Sequence, residues 1–464
     1  MPTSTMSYAT ARKRGANSDI NKLYPEDRAI HEWYRFVLSF PPHLVREYLE
    51  RFGAGPGHRV LDPFCGTGTV SVEARKLGIQ SIGIEAHPMA TFASQVKVDW
   101  QPDPDGLVLH ANRVADIALA QLRAVDIEDT PQTDNAEILH SARIPHGRLS
   151  KLRTLTPEKM ELLLSNSISP LPLHKTLILL DAIEQERDER YCRHELLALA
   201  KAVVFASSNL HFGPEVGVGS IKSDAPVIAS WLAGIEAMAS DLRTVIDYAV
   251  APAVIYRADA RQLARVLEPR SIDVVITSPP YPNEKEYTRT TRLESVLLGF
   301  LQNKDDLRAI KRGLVRSNTR NIYKGDNDSH WVTHHAGIQK IADSIEARRI
   351  ELGKTSGFER LYASVTRNYF GGMARHLAAL RPMLRTGARL AYVVGDQASF
   401  LRVMIPTGEI LADISRSLGY EVESIDHFRT RVSTVTKSSL REEVILLRWP
   451  GARRQSYSTH PLSL

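Results

Sequence analysis

The chain has 464 residues, of which 43% are hydrophobic and 24% are charged, and this composition is ordinary for a soluble globular protein. Its two cysteines, Cys65 and Cys192, are too few for a disulfide framework or a cysteine-rich zinc site. The net charge of +6 permits a polyanionic partner. The sequence has no apolar run long enough to span a bilayer and no secretory signal, so the cytoplasm is the expected location.

The first candidate site is a glycine-containing turn between a short strand and a helix. Residues 58–69 read His-Arg-Val-Leu-Asp-Pro-Phe-Cys-Gly-Thr-Gly-Thr, and an amphipathic run follows them to Leu77. Such a turn lets main-chain N–H groups and the positive end of a helix approach a nucleotide-like ligand. A second strand ends at Glu85, where a doubly wound fold places a carboxylate for ribose hydroxyls. The glycine spacing is not Gly-x-Gly-x-x-Gly, which disfavours a dinucleotide. We call residues 62–69 the glycine turn.

Strand and helix patterns alternate along the chain and predict an α/β fold with a doubly wound, seven-stranded, mostly parallel sheet. The expected strands are residues 59–62, 82–85, 254–256, 272–276, 390–394, 421–425 and 444–447. Glu442 and Arg448 bracket the last strand, which is typical of an antiparallel edge strand.

The sheet-forming segments divide the chain into a discontinuous catalytic domain and two insertions. The expected order is a flexible segment at 1–28, the catalytic domain at 29–100 and 250–464, a mostly helical insertion at 101–249, and a smaller basic insertion at 301–375. The helical insertion is interpreted either as a target-recognition region or as scaffolding. Within it, the polar residues 126–150 and the glycine-rich residues 209–222 predict loops.

The second candidate site is a proline-containing turn after the strand at 272–276. Its residues are Ser278, Pro279, Pro280 and Tyr281, and we call them the proline turn. The prolines keep the turn rigid, so the Ser278 hydroxyl and the Pro279 carbonyl are pre-placed as acceptors. Acceptors around an exocyclic amine draw its nitrogen towards a tetrahedral geometry and free its lone pair, as N-methylation of a base requires. Tyr281 offers a ring on which an unstacked base can lie. Both turns follow the carboxyl ends of strands, where open α/β sheets bind ligands.

Together, Asp-Pro-Phe-Cys-Gly-Thr-Gly-Thr and Thr-Ser-Pro-Pro-Tyr resemble the two motifs of S-adenosylmethionine-dependent amino-methyltransferases, which methylate exocyclic nitrogens of bases. The resemblance covers residues 31–100 and 250–450 and implies that family's seven-stranded fold, with S-adenosylmethionine as cofactor. It implies catalytic roles for Ser278, Pro279, Pro280 and Tyr281. It implies cofactor contacts at Asp62, Pro63, Phe64, Gly66, Gly68, Thr69, Glu85, Asp259 and Phe40.

The same resemblance assigns particular parts of the cofactor to three of these residues. Glu85 would bind the ribose, and Asp259 would accept from the adenine amine. Phe40 begins a Phe-Pro-Pro sequence that would close the pocket around the methionine end.

The resemblance implies a site-specific DNA methyltransferase of a restriction–modification or related defence system. Its partners would be double-stranded DNA and a restriction endonuclease acting on the same site. Serine before Pro-Pro, as at Ser278, is commoner in cytosine-N4 enzymes, so cytosine N4 is favoured and adenine N6 is the alternative. The motif order, with the cofactor motif first, departs from that of many cytosine-N4 enzymes. Methylation of cytosine carbon 5 is disfavoured, because the proline turn lacks a cysteine nucleophile and Cys65 is expected to be a packing residue.

Basic residues after the proline turn are candidates for phosphate contact, and a solvated helix face is the alternative. Residues 308–324 contain six basic side chains and no acid, interleaved with hydrogen-bonding groups. The candidates are Arg289, Arg292, Lys311, Arg312, Arg316, Arg320 and Lys324. A further candidate row is Arg429, Arg431 and Lys437. No metal site is expected, because the histidines at 330, 334 and 335 lie near no cysteine.

Two other functions fit parts of the pattern. RNA guanine-N2 methyltransferases share a related pair of motifs, but the sequence offers no candidate RNA-binding domain before the glycine turn. A non-catalytic nucleic-acid-binding subunit would keep the fold without the chemistry. That function is disfavoured, because the sequence retains the motif residues Gly66, Gly68, Glu85 and Ser278.

Overall fold

The computed structural model describes residues 22–35, 40–129, 152–213, 215–246, 248, 251–283, 285–432 and 439–451. Most of the predicted flexible segment at 1–28 and most of the predicted loop at 126–150 therefore lie outside the described residues, as does Lys437. Among the described helices, none is long and apolar enough to cross a membrane.

Within the described residues, nine strands form two sheets. They are Arg59–Asp62 (β1), Gln80–Glu85 (β2), Leu210–Phe212 (β3), Val216–Val218 (β4), Ala253–Arg257 (β5), Ile272–Thr277 (β6), Leu384–Gly395 (β7), Glu421–Val432 (β8) and Ser439–Arg448 (β9). The main sheet has the order β5-β2-β1-β6-β7-β9-β8, and its first five strands are parallel. This confirms the predicted doubly wound, seven-stranded, mostly parallel sheet.

The prediction that the last strand is an edge strand is wrong. β9 is antiparallel, as expected, but it pairs with β7 on one side and β8 on the other, so β8 is the edge. Val444 and Leu446 pack into one core cluster, whereas Ile445 and Leu447 pack into another. A strand that is apolar on both faces belongs inside a covered sheet.

Helices cover both faces of the main sheet. On one face, Leu44 and Val70 pack with Val274 in one core cluster. On the other face, Phe370 and Ile410 belong to a second cluster together with residues of β6 and β7. Continuous apolar strands fit this arrangement, because parallel sheets are buried on both sides.

Fourteen helices are present in the described part of the chain. They are Pro42–Arg51 (α1), Thr69–Lys76 (α2), Pro88–Lys97 (α3), Pro104–Arg123 (α4), Pro157–Met160 (α5), Pro170–Gln185 (α6), Cys192–Ala202 (α7), Val227–Val245 (α8), Tyr287–Thr290 (α9), Arg292–Leu297 (α10), Lys304–Gly313 (α11), Ala336–Glu351 (α12), Tyr362–Leu380 (α13) and Thr407–Ser417 (α14). Short 3-10 turns lie at Pro25–Asp27, His31–Trp33, Leu263–Arg265, Thr319–Asn321, Asp328–Val332, Glu359–Leu361 and Arg381–Met383, and a π-helical turn lies at Val203–Ser207.

The predicted loop at 209–222 contains a small hairpin instead. Its strands, β3 and β4, pair antiparallel from Leu210 opposite Val218. Asn209 closes the base of the hairpin, because its side-chain oxygen accepts a 2.8 Å hydrogen bond from the Lys222 N–H. The helices around the hairpin, α4 and α6 to α8, share one apolar core that includes Trp231.

Candidate active site

The glycine turn connects β1 to α2 and is fixed by Asp62, the last residue of β1. Oδ1 of Asp62 accepts hydrogen bonds from the Phe64 N–H at 3.1 Å and from the Thr277 hydroxyl at 2.6 Å. The second bond joins the glycine turn to the end of β6, from which the proline turn begins. Gly68 has a φ of +85°, and an added Cβ would lie 2.9 Å from Cβ of Ser94, so only glycine fits there.

Glu85 ends β2 beside the glycine turn. Its Oε2 accepts from the Gly66 N–H at 3.0 Å, and its Oε1 accepts from the His87 N–H at 2.7 Å. Burial raises the pKa of Glu85, although these main-chain N–H groups oppose the shift. A carboxylate has about four acceptor positions, so the half-buried Glu85 has capacity left for two hydroxyl donors.

A cavity of about 630 Å³ lies between the glycine turn and the proline turn. The predicted site residues in its wall are Phe40, Pro63, Phe64, Gly66, Thr69, Glu85, Asp259, Ser278, Pro279, Pro280, Tyr281 and Lys311. We call the part lined by the glycine turn, Glu85 and Asp259 the glycine end. The part lined by the proline turn, Lys311 and Glu442 is the proline end. Gly66 and Ser278 therefore share one cavity, as the two-motif hypothesis requires.

Two of the predicted cofactor residues lie behind this wall rather than in it. Gly68 precedes the first residue of α2, and Asp62 is fully buried. Burial raises the pKa of Asp62 to about 7, although hydrogen bonds from Thr277 and Phe64 oppose the shift. Oδ2 of Asp62 has no hydrogen-bond partner among the residues that the structure describes. Asp62 therefore holds the glycine turn against the end of β6 from behind the wall, whereas Phe64 itself lines the cavity.

Asp259 lies after β5 and lines the glycine end. Arg261 donates to both oxygens of its carboxylate, at 2.9 and 2.8 Å, and Asp328 accepts from Arg261 at 2.5 Å. Burial alone would raise the pKa of Asp259, but the hydrogen bonds and charge of Arg261 outweigh burial and lower it. Asp259 therefore presents an ionised, fixed acceptor to the cavity.

The proline turn places the Tyr281 ring against β7. Ser278 lies close enough to Tyr281 to favour the lower pKa of its phenol. Burial raises the pKa of Tyr281 above its ordinary value, and the nearby carboxylate of Glu442 adds to the shift. An added Cβ at Gly395 would lie 3.1 Å from Cε2 of Tyr281, so the glycine allows the ring to approach the strand closely.

The basic candidates of residues 308–324 differ in exposure. Arg316 is 4% exposed, and its guanidinium donates to both carboxylate oxygens of Asp326 at 2.8 Å. A phosphate would have to replace these contacts to reach it. Arg312 and Lys324 are exposed, so a phosphate can approach both directly.

Two further basic candidates are paired with one carboxylate inside the protein. Nζ of Lys311 lies 2.5 Å from Glu286, and a guanidinium nitrogen of Arg292 lies 3.7 Å from it. Arg292 also donates to two main-chain carbonyls. Glu286 and Lys311 both line the proline end, so this pair forms part of its wall.

The proline end also contains residues that no motif indicated. Glu215, in the turn between β3 and β4, reaches the cavity wall from the helical insertion. Its carboxylate lies 4.0 Å from Arg289 and 4.0 Å from Arg320. Phe428 of β8 and Glu442 of β9 line the cavity as well. The only sequence signal for Glu215 is the glycine-rich stretch around it. For Phe428 and Glu442 the only signal is the predicted strand that lies next to each of them in the sequence.

Neither cysteine belongs to a catalytic or metal-binding group of side chains within the described residues. Cys65 is 5% exposed, and burial raises the pKa of its thiol well above the ordinary value, which fits a packing residue. Cys192 is 1% exposed. The described residues contain no group of three or more histidine, cysteine or acidic side chains that could hold a metal ion.

A family described as DNA methylase, covering N6 and N4 methyltransferases, matches residues 9–93. The type II methyltransferase M.BsoBI of Geobacillus stearothermophilus is 24% identical over 419 residues, which is 85% of this chain and 79% of that protein. The type II methyltransferase M.AvaI of Nostoc sp. is 25% identical over 426 residues, 87% of this chain and 81% of that protein. The type II methyltransferase M.MjaII of Methanocaldococcus jannaschii is 35% identical over 69 residues, 15% of this chain and 13% of that protein.

Two solved structures align with this chain at low sequence identity and low TM-score. TrmN from Thermus thermophilus aligns with a TM-score of 0.28 and 12% identity, over 91% of this chain and 52% of that chain. A modification subunit of a putative type I restriction enzyme from Vibrio vulnificus YJ016 aligns with a TM-score of 0.27 and 12% identity, over 89% of this chain and 44% of that chain. The sequence relatives, rather than these structures, support the assignment. The match at residues 9–93 and the similarity to type II methyltransferases over most of the chain support an amino-methyltransferase of the N6/N4 type, for which S-adenosylmethionine is the implied methyl donor.

Proposed function

We propose that the chain methylates N4 of a cytosine that is flipped out of double-stranded DNA, at a defined sequence. The observation that carries the proposal is the shared cavity, in which the glycine turn with Glu85 faces the proline turn with Ser278. Serine as the first residue of the proline turn supports cytosine rather than adenine. The type II methyltransferases among the relatives support a site-specific modification enzyme.

The glycine end has the groups needed to hold the methyl donor. Glu85 would accept from the ribose hydroxyls, and the fixed carboxylate of Asp259 would accept from the adenine amine. Phe40 and Phe64 would supply apolar contact. When bound, S-adenosylmethionine supplies a methyl group on a sulfonium sulfur, so one C–S bond breaks as one C–N bond forms.

The proline end has the groups needed to prepare the amine. The Ser278 hydroxyl and the Pro279 carbonyl would accept from the exocyclic N–H groups, which makes the nitrogen lone pair available and gives the departing proton an acceptor. Tyr281 and Phe428 both line this end, and aromatic rings of this kind hold a flipped base by stacking.

DNA contact would come from two sides of the cavity mouth. Exposed Arg312 and Lys324 are suited to phosphate contact. The helical insertion at 101–249 would take part in target recognition, because Glu215 brings it to the cavity beside Arg289 and Arg320. A restriction endonuclease that cuts the same sequence would be the functional partner.

Adenine N6 is the second candidate target. The order of the motifs, with the glycine turn before the proline turn, favours it, because many cytosine-N4 enzymes have the opposite order. The chemistry of the amine would be the same for both bases.

The test is to express the chain in a host without DNA methylation and to sequence the native DNA with detection of modified bases. N4-methylcytosine at one defined sequence is the expected result, and it should be absent with a Ser278→Ala variant or an empty vector. N6-methyladenine at a defined sequence would contradict the choice of base. DNA without any modification, from soluble protein that binds S-adenosylmethionine, would contradict DNA as the substrate.

A further inference from the structure

A cluster of two arginines and one glutamate lies in the proline end, outside both motifs. Arg429 and Arg431 belong to β8 and Glu442 belongs to β9, and all three line the cavity. Nε of Arg429 donates to Oε2 of Glu442 at 2.5 Å. Nε of Arg431 lies 3.3 Å from Oε1 of the same carboxylate. The sequence pattern favoured phosphate contact for these arginines, but the cavity wall is a different environment from an exposed phosphate row.

The cluster adjoins the ring of the proline turn. An added Cβ at Gly395 would lie 3.1 Å from Cε2 of Tyr281 and 3.2 Å from Cγ of Glu442, so the two side chains meet at one backbone position. The charge of Arg431 acts on Tyr281 and on Lys285, and in both cases it favours the lower pKa. A base stacked on Tyr281 would therefore have the Arg431 guanidinium near its edge.

Arg431 is held in place and still has hydrogen-bonding capacity. One of its terminal nitrogens donates to the Asp396 carbonyl at 3.0 Å, and its side chain is 35% exposed. Its Nε is buried and has no hydrogen-bond partner within the described part of the chain, because the contact with Glu442 is poorly aligned. Because Nε is buried, the donors open to a ligand are those on the terminal nitrogens, and an anchored, partly exposed guanidinium in a cavity wall fits a ligand that has acceptors at that point.

The two candidate bases differ next to their exocyclic amine. Cytosine has two adjacent acceptors there, N3 and O2, which a guanidinium fork can contact together much as it contacts a carboxylate. Adenine has one acceptor, N1, followed by a C–H group. On the basis of the proposed function, we propose that Arg431 donates to N3 and O2 of the flipped cytosine and thereby selects cytosine over adenine.

The same geometry gives the neighbouring residues a positioning role. Glu442 fixes the orientation of Arg429 and Arg431, and the Asp396 carbonyl fixes the second arginine from the other side. A base without the second acceptor would leave one donor of the partly exposed Arg431 guanidinium without its partner on the base. Sites built to hydrogen-bond a substrate group discriminate strongly against analogues that lack it.

The test uses a duplex that carries the sequence modified by the wild-type enzyme, with either cytosine or 3-deazacytosine at the target position. The second base keeps the amine and O2 but lacks the N3 acceptor. Methyl transfer from S-adenosylmethionine is measured for the wild type, Arg431→Ala and Arg431→Lys. We expect Arg431→Ala to lower kcat/KM on cytosine by about 100-fold, while S-adenosylmethionine binds as it does to the wild type.

The decisive comparison is between the loss of rate caused by changing the base and the loss of rate caused by changing Arg431. If Arg431 contacts N3, wild-type transfer falls about 10-fold or more on 3-deazacytosine, whereas Arg431→Ala treats the two bases within about 3-fold of each other. Arg431→Lys keeps the charge but not the fork, so DNA affinity should be kept while most of the rate on cytosine is lost. The matched control is Arg448→Ala, which removes an exposed arginine paired with Glu421 at the other end of β8 and β9 and should leave all rates unchanged.

This inference would be overturned if the base change and Arg431→Ala lowered the rate of methyl transfer independently of each other. Full activity of Arg431→Ala would also overturn it. Wild-type transfer to 3-deazacytosine at the full rate would overturn it without any variant. In each of these cases N4-methylcytosine in native DNA would still support the proposed function. N6-methyladenine in native DNA would contradict both proposals at once.

Discussion

The two ends of the cavity are built in different ways. The glycine end is formed mainly by the glycine turn and Glu85, where the Gly66 and His87 N–H groups both donate to Glu85, and Asp259 joins it from after β5. The proline end is formed by charged side chains from distant segments. Glu215, Lys311 and Glu442 all meet there.

This difference determines how each end keeps its shape. Main-chain donors need only the backbone geometry that the glycine turn provides, so the part of the glycine end around Gly66 and Glu85 depends little on the rest of the chain. Buried charges need partners, because an unpaired charge in a cavity wall is costly. The proline end therefore depends on pairs such as Lys311 with Glu286, and it should respond more strongly to single substitutions.

The largest effect is expected at Ser278, which belongs to the proline end alone. Ser278→Ala removes an acceptor for the amine and should lower the rate of methyl transfer to DNA by about 1,000-fold, within the range for a positioned acid–base group. Calorimetry should show S-adenosylmethionine binding close to that of the wild type. Ser424→Ala, on β8 and outside the cavity wall, is the control and should keep full activity. Transfer at the wild-type rate by Ser278→Ala would remove the proposed role of this hydroxyl.

The next effect is on stability and concerns the support of the proline end. Arg316 donates to Asp326 and to the carbonyls of Lys311 and Leu314, both of which line the cavity. Arg316→Ala leaves the mostly buried carboxylate of Asp326 without its cation, with the Tyr323 N–H still donating to it, so the free energy of unfolding should fall by about 3 kcal/mol in urea titrations. Arg312→Ala removes an exposed guanidinium four residues earlier and should change the free energy of unfolding by less than about 0.5 kcal/mol. Equal effects of the two variants would show that the Arg316 contacts do not support this wall.

The third prediction concerns Asp62, which joins the two ends through Thr277. The pKa of Asp62 is raised by burial to about 7 in the folded protein, so the folded state holds a proton that the unfolded state releases between about pH 4 and pH 7. Stability from this group is therefore present at low pH and is lost as the pH rises towards 7. Asp62→Asn has no carboxyl group to ionise, so it removes this loss of stability. Between pH 5 and pH 8 its free energy of unfolding should improve by about 2 kcal/mol relative to the wild type, measured without cofactor. Parallel pH profiles would mean that Asp62 is ionised throughout.

The smallest effect tests the independence of the glycine end. Glu85→Gln keeps the shape of the side chain but loses the charge that accepts from the Gly66 N–H. S-adenosylmethionine should bind about 10-fold more weakly by calorimetry, while the affinity for DNA stays the same. Glu421→Gln, in an exposed ion pair with Arg448, should change neither affinity. A loss of DNA affinity in Glu85→Gln would show that the two ends are coupled.

The fold and the glycine end could be predicted from sequence because their determinants are local. Apolar runs such as Ile272–Thr277 are long enough to indicate buried strands, and Gly68 occupies a backbone conformation that glycine spacing reveals. The position of β9 inside the sheet could not be predicted from its flanking charges. Its pairing depends on which strands it meets after folding, and the alternation of Val444 and Ile445 between two cores appears only then.

The proline end was less predictable because opposite charges meet there across long sequence distances. Residues 308–324 contain no acid, so the sequence favoured a basic surface without ion pairs to acidic side chains. The acids that pair with this stretch lie outside it: Asp326 beside Arg316, and Glu286 beside Lys311. The contribution of Glu215 depends on a hairpin whose strands have only three residues each, too short to give a clear alternating pattern.

The insertion of β9 between β7 and β8 has a consequence for protein synthesis. Chains fold from the amino terminus as they emerge from the ribosome. The segments that form the glycine turn and the proline turn are complete long before β9 is made, but Leu440 and Glu442 belong to the cavity wall. A nascent chain or a fragment that stops before residue 439 therefore lacks one wall beside Tyr281. If Arg431 selects the base as proposed, that selection would arise only once β9 has been made and has paired with β8.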